Sequence, residues 1–472
     1  MTDSETQNRL YERPWLDEVF YHIYPLGFCG APEYNRGDED RGSRFDVLTG
    51  ALDHISGLGC TAVYLGPVFE SSRHGYDTAD YFHCDRRLGT NEELAGVIGD
   101  MHERGMRVVL DGVFNHVGRD FHAFVELQRD GAKSDKREWF RDVRFDASSP
   151  FGDPFAYAGW EGNFELVELN LEHRAVRDHL FDAVRFMIHE LGIDGLRLDV
   201  AYSLPTDFIR ELREVCDEAF SRRLGTTARF FLLGEVIHGD YGTYIGPGLL
   251  DSVTNYECYK GAWSSLNDAN YHEIAHSLAR HFGEGGVSEG AALYNFVDNH
   301  DVDRVASRLV DARLLYPLYA LLFTMPGMPS VYYGSEFALQ GEKQAGDAVL
   351  RPAWTDVRSR GASREAQELS GWIAELARAR SQSRALREGT YGELSVSHRE
   401  FAFFRKSGDE AVVVALNAGE YPTSLELTGL SRASVGTELV SLFDDRTRVP
   451  VSSGAATVKV PAGGCVIARL QG

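Results

Sequence analysis

Cysteine, basic residues and long apolar runs are all scarce in this sequence, and each shortage removes a class of protein. Six cysteines in 472 residues (Cys29, Cys60, Cys84, Cys216, Cys258 and Cys465) are scattered without a CxxC pair. They read as reduced thiols of a cytoplasmic protein, with neither a disulfide framework nor zinc. Lysine and arginine number 48 against 71 acidic residues, a formal charge of −23. That sign opposes nucleic acid and anionic membrane surfaces, and no basic patch interleaved with aromatics relieves it. No apolar stretch reaches the roughly 20 residues of a membrane span. The polar, acidic start from Met1 to Arg13 lacks the basic lead and apolar run of a secretory signal. Internal repeats and low-complexity tracts are missing too. With 43% hydrophobic and 25% charged residues, the composition is ordinary for a globular chain long enough for more than one domain.

What is present is an alternation of short apolar strands and amphipathic helices. Val19 to Tyr24, Thr61 to Leu65 and Met106 to Leu110 read as strands, with Phe45 to Leu58 and an Asn91-capped segment to Glu103 as helices. From Asn115 to Glu172 the order breaks into a Gly, Pro, Asp and aromatic-rich stretch, far longer than the usual connection of about 2 to 6 residues. The alternation then resumes: helix Arg174 to Leu191, strand Gly195 to Val200, helix Pro205 to Phe220, strand Arg229 to Leu233. Strand Leu250 to Thr254, helix Tyr271 to His281, strand Ala292 to Val297, helix Ala312 to Phe323, strand Ser330 to Tyr333 and helix Ala362 to Ala379 complete it. Eight strand-helix pairs predict a (β/α)8 barrel. Its first part spans residues 1–114, an inserted subdomain 115–172, and the rest of the barrel 173–385. From 386 to 472 the helical period stops, and β-like runs such as Ala411 to Leu416 predict an antiparallel β-sandwich.

The strand Gly195-Leu196-Arg197-Leu198-Asp199-Val200 organises the rest. Leu196, Leu198 and Val200 face one way, Gly195, Arg197 and Asp199 the other. A lone Arg-x-Asp is more often a structural ion pair. In a barrel, however, the ends of the strands converge on one rim, and carboxylates close four of them: Asp111, Asp199, Glu235 and the run Asp298-Asn299-His300-Asp301. Such a set suits glycoside hydrolysis, which needs a nucleophile, a proton donor and stabilisation of an oxocarbenium-like transition state. Arg197 would keep Asp199 ionised and oriented. Glu235, behind the apolar run Phe230 to Leu233, would be the partly desolvated acid.

These strand ends resemble the α-amylase family, glycoside hydrolase family 13. Asp111-Gly-Val-Phe-Asn115-His116, Gly195-Leu-Arg197-Leu-Asp199, Gly234-Glu235 and Asn299-His300-Asp301 match its four main motifs in order. Gly59 to Phe69, Glu168-Leu-Asn170 and Gly327 to Glu336 are similar to lesser ones. The resemblance implies Asp199 as nucleophile, Glu235 as acid/base and Asp301 as the carboxylate that grips sugar hydroxyls. It implies that Arg197, His116 and His300 hold the sugar, with Asp111 as a supporting carboxylate and Tyr76 as the ring on which the sugar stacks. It further implies a retaining mechanism on α-glucosidic bonds, for which the two carboxyl groups stand about 5 to 5.5 Å apart.

The His74-Gly-Tyr76-Asp77-Thr-Ala-Asp80-Tyr81 run and Asn255-Tyr256 look most like the neopullulanase and cyclomaltodextrinase branch. That branch usually carries an N-terminal β domain, for which a first strand at Val19 leaves no room. It also commonly has an aromatic where Ile237 stands, which favours hydrolysis over transfer here. Asp199 lacks the following Lys-His of true α-amylases, so long-starch specificity is not expected. The partner expected is an oligosaccharide, a short maltodextrin or cyclodextrin. The alternatives are a glucosyl transferase or isomerase of the same family, and a non-catalytic glucan-binding or scaffold protein, the last disfavoured because no catalytic carboxylate is missing. No cofactor is required. Calcium stays open at Asn115, which matches a calcium-binding residue of many relatives, although hydrogen bonding in the loop accounts for it equally and a cage of six or more oxygens is not evident. Asp38-Glu39-Asp40 reads as a solvated loop. Phe151, Phe155, Tyr157, Trp160 and Phe164 read either as sugar platforms or as the core of the insert. Oligomeric state is open.

Overall fold

The computed structural model describes residues 10–37, 41–434, 436–444 and 446–472; Asp38-Glu39-Asp40 and the first nine residues lie outside them. Eight parallel strands form the centre: β1 (Phe20–Ile23), β2 (Ala62–Leu65), β3 (Arg107–Gly112), β4 (Gly195–Leu198), β5 (Phe231–Gly234), β6 (Ser252–Val253), β7 (Tyr294–Asn295) and β8 (Met328–Tyr332). They are hydrogen-bonded in the order β6-β5-β4-β3-β2-β1-β8-β7. The ends of that series meet where Thr254 bridges Tyr294 in parallel, Asn255 N–H donates to Tyr294 O at 2.9 Å, and Asn255 Nδ2 donates to Asn295 Oδ1 at 2.8 Å. The ring is the predicted (β/α)8 barrel, with side-chain amides completing its thinnest seam.

Alternation along the strands sorts the core. Leu196 and Leu198 point out into the layer shared with the helices, whereas Phe20, Tyr64, Val109, Phe231, Tyr294 and Met328 fill the barrel. Gly195 faces inward where β3 and β5 crowd it: a Cβ there would sit 2.8 Å from Phe231 O and 2.9 Å from Phe231 Cβ, so only glycine lets the strands approach. Trp15 closes the N-terminal mouth, stacked on Phe231 at 4.2 Å.

The structure departs from the expected elements at several points. The helix expected over Phe45 to Leu58 is two short ones, Phe45–Thr49 and Leu52–Gly57, broken beside Gly50, a residue of low helix propensity. The cap of helix Asn91–Glu103 is Thr90, in a capping box with Glu93, while Asn91 Oδ1 accepts from Cys84 N instead. Strands six and seven shrink to two residues each, because the chain beyond them turns off to build the rim. Helix Tyr256–Asn267, which was not anticipated, starts from an Asn255 cap on Cys258 N.

Beyond β3 the chain forms a small three-stranded sheet, His116–Gly118, Asn163–Glu168 and Gly159–Trp160, over the C-terminal rim. At the far end of the chain β9 (Thr390–Val396), β10 (Glu400–Ser407), β11 (Glu410–Asn417), β13 (Glu438–Ser441), β14 (Arg448–Pro450) and β16 (Gly464–Gln471) make one sheet, and β12 (Thr423–Leu427) pairs with β15 (Ala456–Val460). The run Ala411 to Leu416 is apolar throughout because both of its faces are covered. Val412, Val414 and Leu416 pack on the barrel core, and Ala411, Val413 and Ala415 on the second sheet. Two buried arginines fasten this unit to the barrel floor. Arg405 donates to the carbonyls of Thr324, Leu386 and Gly389, and Arg380 to those of Phe323, Leu386, Leu16 and Gly327. Several of these carbonyls end helices, whose negative dipole ends favour a cation.

Candidate active site

At the C-terminal mouth of the barrel one guanidinium gathers three carboxylates. Arg197, near the end of β4, reaches Asp111 Oδ1 and Asp199 Oδ1 through Nη1, each at 2.8 Å, and Glu235 Oε2 through Nη2 at 3.0 Å. The arginine is 4% exposed. Burial works against its charge, but Asp111 and Glu235 beside it hold it protonated. Asp111 also accepts from Tyr64 Oη at 2.8 Å and Tyr76 Oη at 3.0 Å, so it is saturated and turned away from the cleft.

The chain after Asp199 is strained. Val200 takes φ 41° and ψ 46°, a left-handed conformation that costs a β-branched residue about 1–3 kcal/mol. What it achieves is visible: the Val200 N–H donates to Glu235 Oε2 at 3.0 Å, tying the end of β5 to the end of β4.

A cleft of about 450 Å³ opens over this cluster, lined among others by His74, Tyr76, His116, Trp160, Asp199, Tyr202, Glu235, Tyr256, Asp301 and Arg351. The structure therefore brings all eight sequence-predicted site residues to one place. Tyr76, His116, Asp199, Glu235 and Asp301 line the cleft; Asp111, Arg197 and His300 stand directly behind its wall. The Tyr76 ring lies parallel to His300 at 5.5 Å and its hydroxyl bonds His300 Nε2. His300 Nε2 also meets Asp301 Oδ2 at 2.9 Å. His116 Nε2 stands 3.9 Å from Asp199 Oδ2, too far to bond, and has no other partner. Burial lowers the His116 pKa to about 3, so its ring is neutral.

Asp301 enters from beyond β7 with its side chain 34% exposed. Although burial raises its pKa, His300 and Arg351 together hold its carboxyl well below the usual carboxylate range. Asp199 goes the other way. Burial raises its pKa and Glu235 and Asp111 add to the rise, against the lowering by Arg197. A cluster of carboxyls sharing one guanidinium shares its protons as a set.

Several participants have no clear sign in the sequence. Arg351, in the loop beyond β8, donates to Asp301 Oδ1 at 2.9 Å and to His300 O at 3.1 Å and lies over Tyr24 at 4.5 Å. No motif marks it. Of the five insert aromatics singled out above as platform or core, Trp160 reaches the cleft, beside His116 at 5.3 Å. Phe155 and Tyr157 are buried in the insert, Phe164 packs on Tyr157 at 5.7 Å, and Phe151 is half exposed over Arg119. Asn115 lies beside a separate cavity with Asp142, Asn170 and Glu172. Its Nδ2 meets His116 Nδ1 at 3.3 Å, and among the described residues no group of three His, Cys, Asp or Glu is placed to hold a metal.

Such a site can bind a polyhydroxyl ligand and bring two carboxyl groups to one reacting centre. Comparison with known proteins agrees. Residues 23–385 match the model of the alpha-amylase catalytic domain. A cyclomaltodextrinase of Bacillus sp is 30% identical over 87% of this chain and 76% of its own length. The intracellular maltogenic amylase of Bacillus subtilis strain 168 is 26% identical over 84% of this chain and 67% of its own. Among solved structures, the cyclic alpha-maltosyl-(1→6)-maltose hydrolase of Arthrobacter globiformis superposes with a TM-score of 0.79 at 26% identity, covering 97% of this chain and all of that one. The chain belongs to the alpha-amylase family and is a glycosidase of that family.

Proposed function

We propose that this enzyme hydrolyses α-glucosidic bonds, α-1,4 bonds foremost, in short linear or cyclic maltodextrins, with retention of anomeric configuration. The observation that carries the reading is the single Arg197 guanidinium held jointly by Asp111, Asp199 and Glu235 at the floor of a sugar-sized cleft. Both carboxyl groups rest on the same guanidinium, which supports a pairing at the roughly 5 to 5.5 Å that retention calls for. In the first step Asp199 attacks the anomeric carbon, the bond to the leaving oxygen breaks, and Glu235 gives that oxygen its proton. In the second, a water loses a proton to Glu235 and attacks the same carbon, and Asp199 leaves. Asp301, ionised and backed by Arg351, accepts sugar hydroxyls and favours the positive charge that develops on the ring. His116 and His300 orient hydroxyls, and Tyr76 offers a face to the sugar.

Water is the acceptor we assign. Ile237, 41% exposed at the lip of the cleft, gives an incoming sugar no flat ring to stack on; transfer to a sugar hydroxyl is the alternative. Six free thiols and likeness to an enzyme named as intracellular support a cytoplasmic location, and among the described residues no helix is long and apolar enough to cross a membrane. Incubation with maltotriose, cyclodextrin, pullulan, trehalose and sucrose, followed by chromatography, tests the substrate. Glucose and maltose from the first two are expected, and products from trehalose or sucrose alone would overturn the assignment. NMR of the first-formed anomer tests retention: an α product is expected, and a β product rejects it.

A further inference from the structure

The two oxygens of Glu235 meet different surroundings. Oε2 receives the Val200 N–H and faces Arg197 Nη2, both at 3.0 Å. Both groups are obligate donors, so a proton on Oε2 would point at another hydrogen. Oε1 has the Tyr256 hydroxyl 3.4 Å away, and both residues line the cleft.

The direction of that hydroxyl is dictated by a chain of bonds. Backbone N–H groups of Asp301 and Val302 donate to Asn299 Oδ1 at 2.8 and 3.2 Å, which fixes which end of the amide is oxygen. Asn299 Nδ2 then donates to Tyr256 Oη at 3.1 Å. Having accepted there, the hydroxyl keeps its own hydrogen to offer to Glu235 Oε1. The Tyr256 ring is held edge-on by Phe296 at 4.9 Å and Tyr259 at 6.0 Å. Burial, with Glu235 and Asp301 nearby, raises its pKa well above the usual tyrosine range, so the O–H persists through the working range of the enzyme. The competing role, an inert aromatic wall, needs the ring but not the oxygen.

We propose that Tyr256, oriented by Asn299, is a positioning residue that steadies the ionised form of Glu235 at Oε1, easing the transfer of its proton to the leaving oxygen. The proposal rests on the assignment of Glu235 as acid/base. In chemical terms the O–H···Oε1 bond strengthens as the proton moves from Oε1 to the glycosidic oxygen, and it then stands ready beside the carboxylate that deprotonates water.

The test is Tyr256→Phe, which keeps the ring. Without the hydroxyl the carboxylate loses a donor, and the alkaline limb of kcat/KM on maltotriose moves up by about 0.5–1 pH unit. kcat is expected to fall about 5–20-fold with KM nearly unchanged, and the first step on 4-nitrophenyl α-maltoside, whose leaving group needs little protonation, to lose less. Asn299→Ala should shift the limb in the same direction, and no further once Tyr256 is Phe. A stationary limb, or a change confined to KM, would reduce Tyr256 to a wall and overturn the proposal. Glu235→Gln is the separate control: if it retains maltotriose turnover, the assignment of the acid fails, whatever Tyr256→Phe does.

Discussion

Both ends of this barrel carry buried ionic clusters, and the two are built to opposite specifications. At the N-terminal end Glu18, fully buried, accepts from Arg13 Nε at 2.8 Å and Arg13 Nη2 at 3.0 Å, and from Arg107 Nε at 2.7 Å. Asp194, equally buried, accepts from His102 at 2.7 Å, Val108 N at 2.8 Å, Arg223 at 3.0 Å and Tyr11 at 3.2 Å. Arg107 lies over Trp15 at 3.8 Å, which plugs the mouth. At the C-terminal end one arginine serves three carboxylates, while His116 Nε2 and His300 Nδ1 are buried without partners. Buried charge by itself therefore does not mark the site. What sets the rim apart is that three carboxyl groups share one guanidinium and two of them, Asp199 and Glu235, border an open cleft beside the unpartnered His116 Nε2.

The strongest way to break the contrast is to neutralise one carboxylate at each end. Asp199→Asn at the rim should lower turnover of maltotriose on the order of 10⁴-fold or more without loss of folded protein by circular dichroism. Retained turnover would mean that the shared guanidinium there serves no chemistry. Glu18→Gln at the floor should do the reverse. Removing one partner of a buried pair costs about 3–5 kcal/mol, read as a lower midpoint in urea, with kcat of the folded fraction unchanged. If Glu18→Gln slowed turnover as much as it destabilised, the division of labour between the two ends would be wrong.

How much of this contrast was legible in the sequence follows from what periodicity can carry. The rim residues are legible because the run Gly195 to Val200 alternates over six positions in the sequence, although the strand itself ends at Leu198, and a polar residue at the end of a strand is conspicuous. The floor cluster did not: Glu18 and Arg13 sit in a polar lead that looks like any solvated segment, and only the barrel mouth brings Arg107 to them. Two-residue strands such as β6 and β7 have no period to read, so their extents were overestimated, and the Asn255–Asn295 seam is visible only in three dimensions. Val200 ran against its own propensity, since a β-branched residue predicts extended backbone. Arg351 depends on how a loop folds back, which local sequence does not encode.

Acid sharpens the contrast more gently. The Asp194 carboxyl lies below its usual pKa because His102 and Arg223 overcome the cost of burial. A depressed folded-state pKa means stability that is fully present above the unfolded value of about 3.9 and lost as pH falls through the lower folded value. Wild type should therefore lose stability below about pH 4, and Asp194→Asn, already weaker at pH 7, should lose less over the same interval. Parallel acid curves for the two proteins would show that the floor pairing contributes nothing to acid sensitivity.

The smallest effect is the most discriminating. Asp199 has its folded-state pKa raised by burial and by Glu235 and Asp111, so its ionisation opposes folding; that penalty is present above the raised pKa and vanishes below the unfolded one. Asp199→Asn removes the charge without emptying the space, and at pH 7 should leave the thermal midpoint unchanged or raise it, by the equivalent of about 1 kcal/mol. Loss of the Arg197 contact works against the gain, but that guanidinium keeps Asp111 and Glu235. A midpoint that fell as far as that of Glu18→Gln would show that the rim is held together by the same complete pairing as the floor.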